Sequence, residues 1–160
     1  MKYKLYLDTS IISHLDAPDV PEKMEDTLQL WKQIRMEKYD VVLSEIVFNE
    51  LDNCFEPKRS FLNKHLQQVQ YTRVRFTDDM AVLTKKFLDS KVFTPKSIAD
   101  CRHIAAALLS GCDAIVSWNF KHIVNINTIK GTKVITSQEG YNDIIICSPT
   151  MLIEGGLDYE

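Results

Sequence analysis

Short, continuous apolar runs alternate with amphipathic segments along the chain, and this alternation restricts the possible folds more than any other feature. Strands of a parallel sheet that is covered on both faces have this uninterrupted apolar character, and helices usually connect them. The runs predict strands at 3–7, 41–43, 114–117, 133–136 and 144–147, and the alternating residues TRVRF predict another at 72–76. Amphipathic spacing predicts a helix at 22–37, and a more polar helix is predicted at 58–70, after Pro57. The sequence therefore predicts an α/β fold with helices on both faces of a central parallel sheet.

Capping residues indicate where the remaining helices begin and end. Ser44 opens a helix directly after the run VVL. Thr77 is interpreted as the N-cap of a helix that continues to about Ser90. Ser97 and Asp100 have the spacing of a capping box, and the apolar run IAAALL that follows stops at Gly111. These signals place helices between the predicted strands, as parallel connections require.

The length of 160 residues fits one domain, predicted at 1–153, with a solvated tail at 154–160. The four cysteines form no C-x-x-C pair and have no histidine cluster beside them, so a zinc site is not expected. Cys101 and Cys147 lie in apolar runs and are interpreted as reduced core thiols, which fits a cytoplasmic location. A signal peptide and a membrane-spanning run are both absent from the sequence pattern.

Four polar residues from distant segments are predicted to lie at one edge of the sheet. Asp8 directly follows the first strand, and Glu50 lies on the helix after the second. Asp100 lies in the first turn of its helix, and Asn119 comes two residues after the run AIVS. Ligands of open parallel sheets bind beyond the carboxyl ends of the strands, so these residues form the candidate site.

Two further acidic residues are predicted to lie at the opposite edge. Asp40 and Asp113 come directly before their strands, so both are interpreted as turn residues at the amino ends. This sorting leaves three carboxylates at the candidate site, where they would repel one another without a cation. Magnesium and manganese prefer such oxygen ligands and can activate water for attack on a phosphodiester. The formal net charge of −3 argues against non-specific wrapping of nucleic acid but is compatible with such a metal pocket.

Several segments resemble the motifs of PIN domains, in the right order over nearly the whole chain. YLDTSIISHL is similar to the first motif, and LSEIVFNEL to the second, in which the ligand is Glu50 and not Glu45. SIADCRHIAAALLSGCDAIVSWNFKHI resembles the third and fourth motifs, with Asp100 at the start of the helix, and ICSPTMLIE resembles the closing segment. The resemblance implies a three-layer α/β/α sandwich and cleavage of single-stranded RNA with Mg²⁺ or Mn²⁺. It implies Asp8, Glu50 and Asp100 as metal ligands, assisted catalytically by Asn119.

The same resemblance implies partners. Many PIN domains are the toxins of bacterial toxin–antitoxin pairs of the VapC type, so an antitoxin protein and a homodimer are expected beside the RNA substrate. A basic rim for the RNA phosphates is expected from some of the exposed cationic residues. The candidates for this rim are Lys58, Arg59, Lys64, Arg73, Arg75, Lys85, Lys86 and Lys121.

Asn119 departs from the aspartate that many PIN domains carry at this position, and we predict that the missing charge limits a second metal position, with one alternative left open. On the predicted interpretation, Asn119→Asp would lower the metal concentration needed for half-maximal cleavage. On the alternative, the amide donates a hydrogen bond to substrate or to another carboxylate, and the substitution would reduce activity.

Each site residue also has a structural interpretation. Asp8 can cap a helix that begins at Thr9 or Ser10, and Asp100 can complete its capping box. His103 and His122 are interpreted as structural or surface residues, and Trp118 as packing. The alternative function is a non-catalytic PIN module that binds RNA or a partner protein. A nucleotide-binding domain of another kind is disfavoured, since no G-x-G-x-x-G or G-x-x-x-x-G-K motif is present.

Overall fold

A computed structural model describes residues 2–91 and 93–154 of the chain. Five strands are present in this part: β1 Lys4–Leu7, β2 Asp40–Ser44, β3 Thr72–Val74, β4 Ala114–Val116 and β5 Ile145–Cys147. The α-helices are α1 Thr9–Ser13, α2 Pro21–Arg35, α3 Glu45–Asp52, α4 Lys58–Leu66, α5 Asp78–Asp89, α6 Ile98–Leu109, α7 Ile126–Glu139 and α8 Pro149–Glu154. The predicted tail at 154–160 lies outside the described residues, except that Glu154 ends α8.

The five strands form one sheet in the order β3-β2-β1-β4-β5. All neighbouring strands are parallel, and β1 lies at the centre, with Leu5 opposite Val41 on one side and Ala114 on the other. The order reverses at β1, because the chain leaves it first toward β2 and later toward β4. Beyond the carboxyl ends of β1 and its neighbours lies the region where such sheets bind ligands.

Alternating side chains of the strands divide the core into two layers. Leu5 and Leu7 of β1 pack on one face with buried residues of α1, α2, α3, α4 and α8. Tyr6, between them, packs on the other face with buried residues of α5, α6 and α7. The predicted α/β/α sandwich with a central parallel sheet is thereby confirmed.

Two local predictions were wrong. Residues 133–136 do not form a strand but lie within α7, where the buried residues Thr128, Thr132, Ile135 and Thr136 recur at helical spacing. A segment of four residues, three of them β-branched, is too short to distinguish a strand from a buried helix face.

The predicted capping box at the start of α6 is also absent. A short 3₁₀ turn at Pro95–Ser97 precedes α6, and within it the Ser97 hydroxyl donates backward to the Thr94 carbonyl at 2.8 Å. Ser97 consequently makes no side-chain cap hydrogen bond to α6. Asp100 therefore has no part in capping and is available to the site.

The amino edge of the sheet contains the two acidic residues assigned to turns. The backbone N–H of Lys4 donates to the Asp113 carboxylate at 2.8 Å, and that of Asp40 donates to the Tyr3 carbonyl at 3.0 Å. Cys101 and Cys147 are buried, as predicted, and burial raises the pKa of each thiol to about 12. Within the described residues, no helix has the length and apolarity needed to cross a membrane.

Candidate active site

Asp8 lies where β1 ends and α1 begins, and its side chain is almost completely buried at 4% exposure. It is the N-cap of α1, and its Oδ1 accepts from the backbone N–H of Ser10 at 3.0 Å and from the Ser10 hydroxyl. Its Oδ2 accepts from the hydroxyl of Ser117, which follows β4. The capping role is therefore real, and two strand ends fix the orientation of this carboxylate.

The carboxylates of Asp8 and Asp100 are both harder to ionise than usual. Burial raises the pKa of Asp8 above its ordinary value, although His103 and the hydrogen bonds from Ser10 and Ser117 oppose the shift. Burial also raises the pKa of Asp100, assisted by the negative charge of Asp8 and opposed by His122 and His103. Among the described residues, no lysine or arginine forms a salt bridge with either carboxylate. The site thus gathers negative charge that no lysine or arginine of the described residues pairs with.

Glu50 reaches the same edge from α3. The hydroxyl of Thr9 donates to its Oε1 at 2.8 Å, which joins Glu50 to the residue directly after Asp8. His103 Nε2 lies 2.7 Å from the same Oε1. Burial alone would raise the pKa of Glu50, but the hydrogen bonds and charge of His103 with the Thr9 hydrogen bond hold it below its ordinary value. Glu45 is directed elsewhere, because its carboxylate accepts from the Phe76 backbone N–H at 2.7 Å.

His103 is the site residue that sequence reasoning assigned to structure or surface. It lies one turn after Asp100 on α6, is 3% exposed, and is bonded through both ring nitrogens. Its Nδ1 lies 2.6 Å from the Tyr6 hydroxyl, which lies 2.7 Å from the Ser44 hydroxyl. The three-residue spacing from Asp100, which puts both residues on the same side of a helix, was the available signal.

What each side chain can donate limits the hydrogen positions in this row of hydrogen bonds. An ionised Glu50 only accepts, so His103 donates through Nε2–H. The Tyr6 hydroxyl lies between His103 Nδ1 and the Ser44 hydroxyl, so it donates to one of them and accepts from the other. Ser44 is the N-cap of α3 but makes no cap hydrogen bond, because its hydroxyl is used here. A buried chain of polar groups therefore runs from the sheet to Glu50.

Asn119 uses every polar group it has. Its side-chain oxygen accepts from the His122 backbone N–H at 2.9 Å, which leaves Nδ2 to donate to Asp100 Oδ1 at 2.9 Å. Its backbone N–H donates to the Ser117 hydroxyl at 2.9 Å. Of the two interpretations drawn from the sequence, the structure thus supports the alternative, the amide as a donor to another carboxylate.

All four predicted site residues lie at the carboxyl edge. Hydrogen bonds through Ser117 and Asn119 link Asp8 to Asp100, whereas Glu50 is bonded to Thr9 and His103. Yet within residues 2–91 and 93–154, no three His, Cys, Asp or Glu side chains stand close enough together to hold one metal ion. Each carboxylate is instead turned toward its own hydroxyl, imidazole or amide partner. The donors nevertheless fit Mg²⁺ or Mn²⁺ chemically, because they are hard oxygen ligands and burial raises the pKa of two of them, Asp8 and Asp100, whose ionisation a cation would favour.

This fold is that of the PIN domain, as found in VapC toxins. No protein-family model matches the sequence, and no curated protein matches it in sequence. Solved structures do match in fold. One is a chain of VapBC2 from Rickettsia felis, a complex bound to a DNA fragment from its promoter, with 14% identity and a TM-score of 0.56 over 91% of this chain and 98% of that chain.

A second similar structure is VapC20 from Mycobacterium tuberculosis, a toxin that cleaves the sarcin–ricin loop. It is 15% identical, with a TM-score of 0.53 over 88% of this chain and 98% of that chain. At this level of identity the likeness extends to the fold.

Proposed function

We propose that this protein is an endoribonuclease that cleaves single-stranded RNA with Mg²⁺ or Mn²⁺. The observation that carries the proposal is that Asp8, Glu50 and Asp100 come from three segments and all lie at the carboxyl edge of a PIN-type sheet, where neighbouring side chains orient each carboxylate by hydrogen bonds. The test is incubation of purified protein with an unstructured RNA, with Mg²⁺ or Mn²⁺ in one arm and EDTA in the other. Cleavage in the metal arm alone is the expected result.

Asp8, Glu50 and Asp100 would hold the metal. A bound divalent ion would polarise a phosphodiester oxygen and make a water molecule more acidic. Ser10 and Ser117 orient the Asp8 carboxylate, and no covalent protein nucleophile is needed. His103 and Thr9 both bond Oε1 of Glu50, and Asn119 bonds Oδ1 of Asp100, so hydrogen bonds orient all three carboxylates.

The VapC-type fold also supports a biological setting. We place the protein in the cytoplasm as the toxin of a toxin–antitoxin pair, with a small antitoxin as its protein partner and homodimer formation as a further expectation. Co-expression with the product of an adjacent small gene, followed by purification of the complex, tests the antitoxin. Recovery of this chain alone would contradict that part of the proposal.

Metal is expected to stabilise the protein. At about 100 times the dissociation constant, a ligand that binds only the folded state adds about 2.7 kcal/mol. For a chain of this size that raises Tm by about 5–10 °C. Thermal unfolding followed by circular dichroism in EDTA and in millimolar Mg²⁺ or Mn²⁺ measures the shift. Asp100→Asn should lose most of it, whereas Asp40→Asn at the opposite edge should keep it. An equal metal response in all three proteins would contradict a shared carboxylate site.

Asn119→Asp is expected to reduce cleavage at every metal concentration. The substitution removes the donor to Asp100 and puts a second carboxylate 2.9 Å from it, where it adds repulsion. Without metal, the free energy of unfolding should fall by about 1–3 kcal/mol, the cost of a lost partly buried partner. A metal titration of the cleavage rate compares the variant with Asn63→Asp, which adds the same charge on exposed α4. A lower half-saturating metal concentration in Asn119→Asp would restore the missing-charge interpretation.

A second candidate function is a non-catalytic module that binds RNA or a protein. It is favoured by the separate hydrogen-bonding of the carboxylates and by the absence of a compact three-ligand cluster in the described residues. RNA binding without cleavage in either arm of the metal experiment would select this function.

A further inference from the structure

A groove of about 380 Å³ lies beside the Asp100 end of the candidate site. One wall comes from the segment before α6, including Phe93 and Ser97, and the other from the segment between β4 and α7, including Phe120 and Lys121. It adjoins the site on both walls. Ser97 lies three residues before Asp100, and Phe120 directly follows Asn119.

We infer that this groove binds one unpaired nucleotide of the RNA next to the cleaved bond, with the base on Phe120 and a phosphate on Lys121. The inference rests on the proposed ribonuclease function and assigns a substrate subsite to it. The groove volume lies within the range of pockets that hold small ligands, roughly 300–1,000 Å³.

Phe120 is the aromatic side chain that is both accessible and held in place. Its side chain is 47% exposed, whereas neighbouring Trp118 is 6% exposed and donates its Nε1–H to Thr27. Phe93, on the opposite wall, is buried against Phe87. The Trp118 ring packs edge-on against Phe120 with the centroids 6.1 Å apart. A fixed, exposed ring provides a stacking surface for any base, because every base has a π-face.

The charges of the groove also suit a phosphate. None of its described lining residues is acidic, although the whole chain has a formal net charge of −3. Lys121 lines the groove beside His122, and the Lys23 ammonium lies 5.2 Å from the Phe120 ring centroid. A similar groove on the Glu50 side of the site is lined by two carboxylates, Glu45 and Glu50, against one cation, Arg102. The phosphate of a bound nucleotide is therefore attracted to the Phe120 side.

The experiment measures binding of short fluorescein-labelled oligouridylate and oligoadenylate by anisotropy, in EDTA so that no cleavage occurs. Phe120→Ala should weaken binding roughly five- to a hundredfold, the effect of losing one base stack. Phe120→Tyr should retain binding because it keeps the ring. Phe55→Ala is the matched control, since Phe55 is 88% exposed and lies away from the groove, and it should bind like the parent.

The phosphate contact has its own readout. Each phosphate contact of a single strand contributes about 0.7 to the slope of log affinity against log salt. Lys121→Ala should lower the slope by that amount, while Lys32→Ala on the exposed face of α2 should leave it unchanged. An abasic ribose-phosphate oligomer should bind Phe120→Ala and the parent equally, because it has no base to stack.

Three results would overturn the subsite. They are no oligonucleotide binding by the parent, an equal loss of affinity in Phe120→Ala and Phe55→Ala, or a loss of affinity in Phe120→Tyr as large as that in Phe120→Ala. Equally strong competition by an oligoglutamate peptide would identify a groove for anionic peptides and would also overturn the subsite.

The subsite and the nuclease function can fail separately, because the binding assay contains no metal. Phe120-dependent binding without any metal-dependent cleavage leaves the subsite standing and rejects the nuclease function. Metal-dependent cleavage with Phe120-independent binding rejects the subsite and leaves the nuclease function standing.

Discussion

Asp8→Asn lowers the metal-dependent cleavage rate by more than about a hundredfold, which we expect to be the largest effect of any single substitution in this chain. Loss of a hydrogen-bond partner of a metal ligand typically costs about 10–100-fold, and this change alters a ligand itself. The fold should survive, because the asparagine oxygen can still accept from Ser10 and cap α1. The cleavage rate of an unstructured RNA at saturating Mn²⁺ measures the effect.

Unfolding without metal separates this loss from a loss of structure. Because burial raises the pKa of Asp8, the folded state binds its proton more tightly than the unfolded state does. The parent should therefore lose stability as the pH rises from the unfolded-state value near 4 through the raised folded-state value. Asp8→Asn has no titrating carboxyl at this position. Its free energy of unfolding should therefore vary less with pH and should exceed that of the parent at neutral pH. Asp40→Asn, at the exposed amino edge, should cleave and unfold like the parent. A cleavage rate of Asp8→Asn within about tenfold of the parent's would contradict the assignment of Asp8 as a metal ligand, because loss of a residue that only hydrogen-bonds a ligand already costs that much.

His103→Ala is expected to have the largest effect on stability. The change removes a buried ring and leaves the Tyr6 hydroxyl without one of its partners, so it combines a cavity with an unsatisfied polar group. Together these cost about 2–4 kcal/mol. Glu50 also loses a hydrogen bond at Oε1, and the dissociation constant for Mn²⁺ should rise about 10–100-fold. Urea unfolding in EDTA and calorimetric titration of the folded protein measure the two effects separately.

Two variants test whether His103 acts through its hydrogen bonds. The amide of His103→Gln can donate to Glu50, so this variant should recover part of the metal affinity that His103→Ala loses. His65→Ala, on the surface of α4, removes a histidine without touching the site and should change neither quantity by much. An unchanged metal affinity in His103→Ala would show that Glu50 needs no positioning by the imidazole.

Much of the architecture was predictable because it depends on local patterns. The short apolar runs around Leu5, Val42 and Ile115 are strands, and each is covered on both faces, as uninterrupted apolar character predicts. The segment at 133–136 misled the prediction because its β-branched residues suit either a strand or a buried helix face. Contacts of α7 with the core decided in favour of the helix.

The sequence by itself determined which edge of the sheet each polar residue occupies. Asp8 and Asn119 come after strands and Asp113 before one, and in a parallel sheet that order along the chain becomes position in space. The tertiary structure alone decided the partners. Glu50 and His103 are 53 residues apart, and Asn119 and Asp100 are 19 apart, so no local pattern contains either hydrogen bond. Packing of α3 against α1 and β2, and of α6 against β2 and β4, brings these residues together. The donors and acceptors available at each contact then determine which hydrogen bonds form.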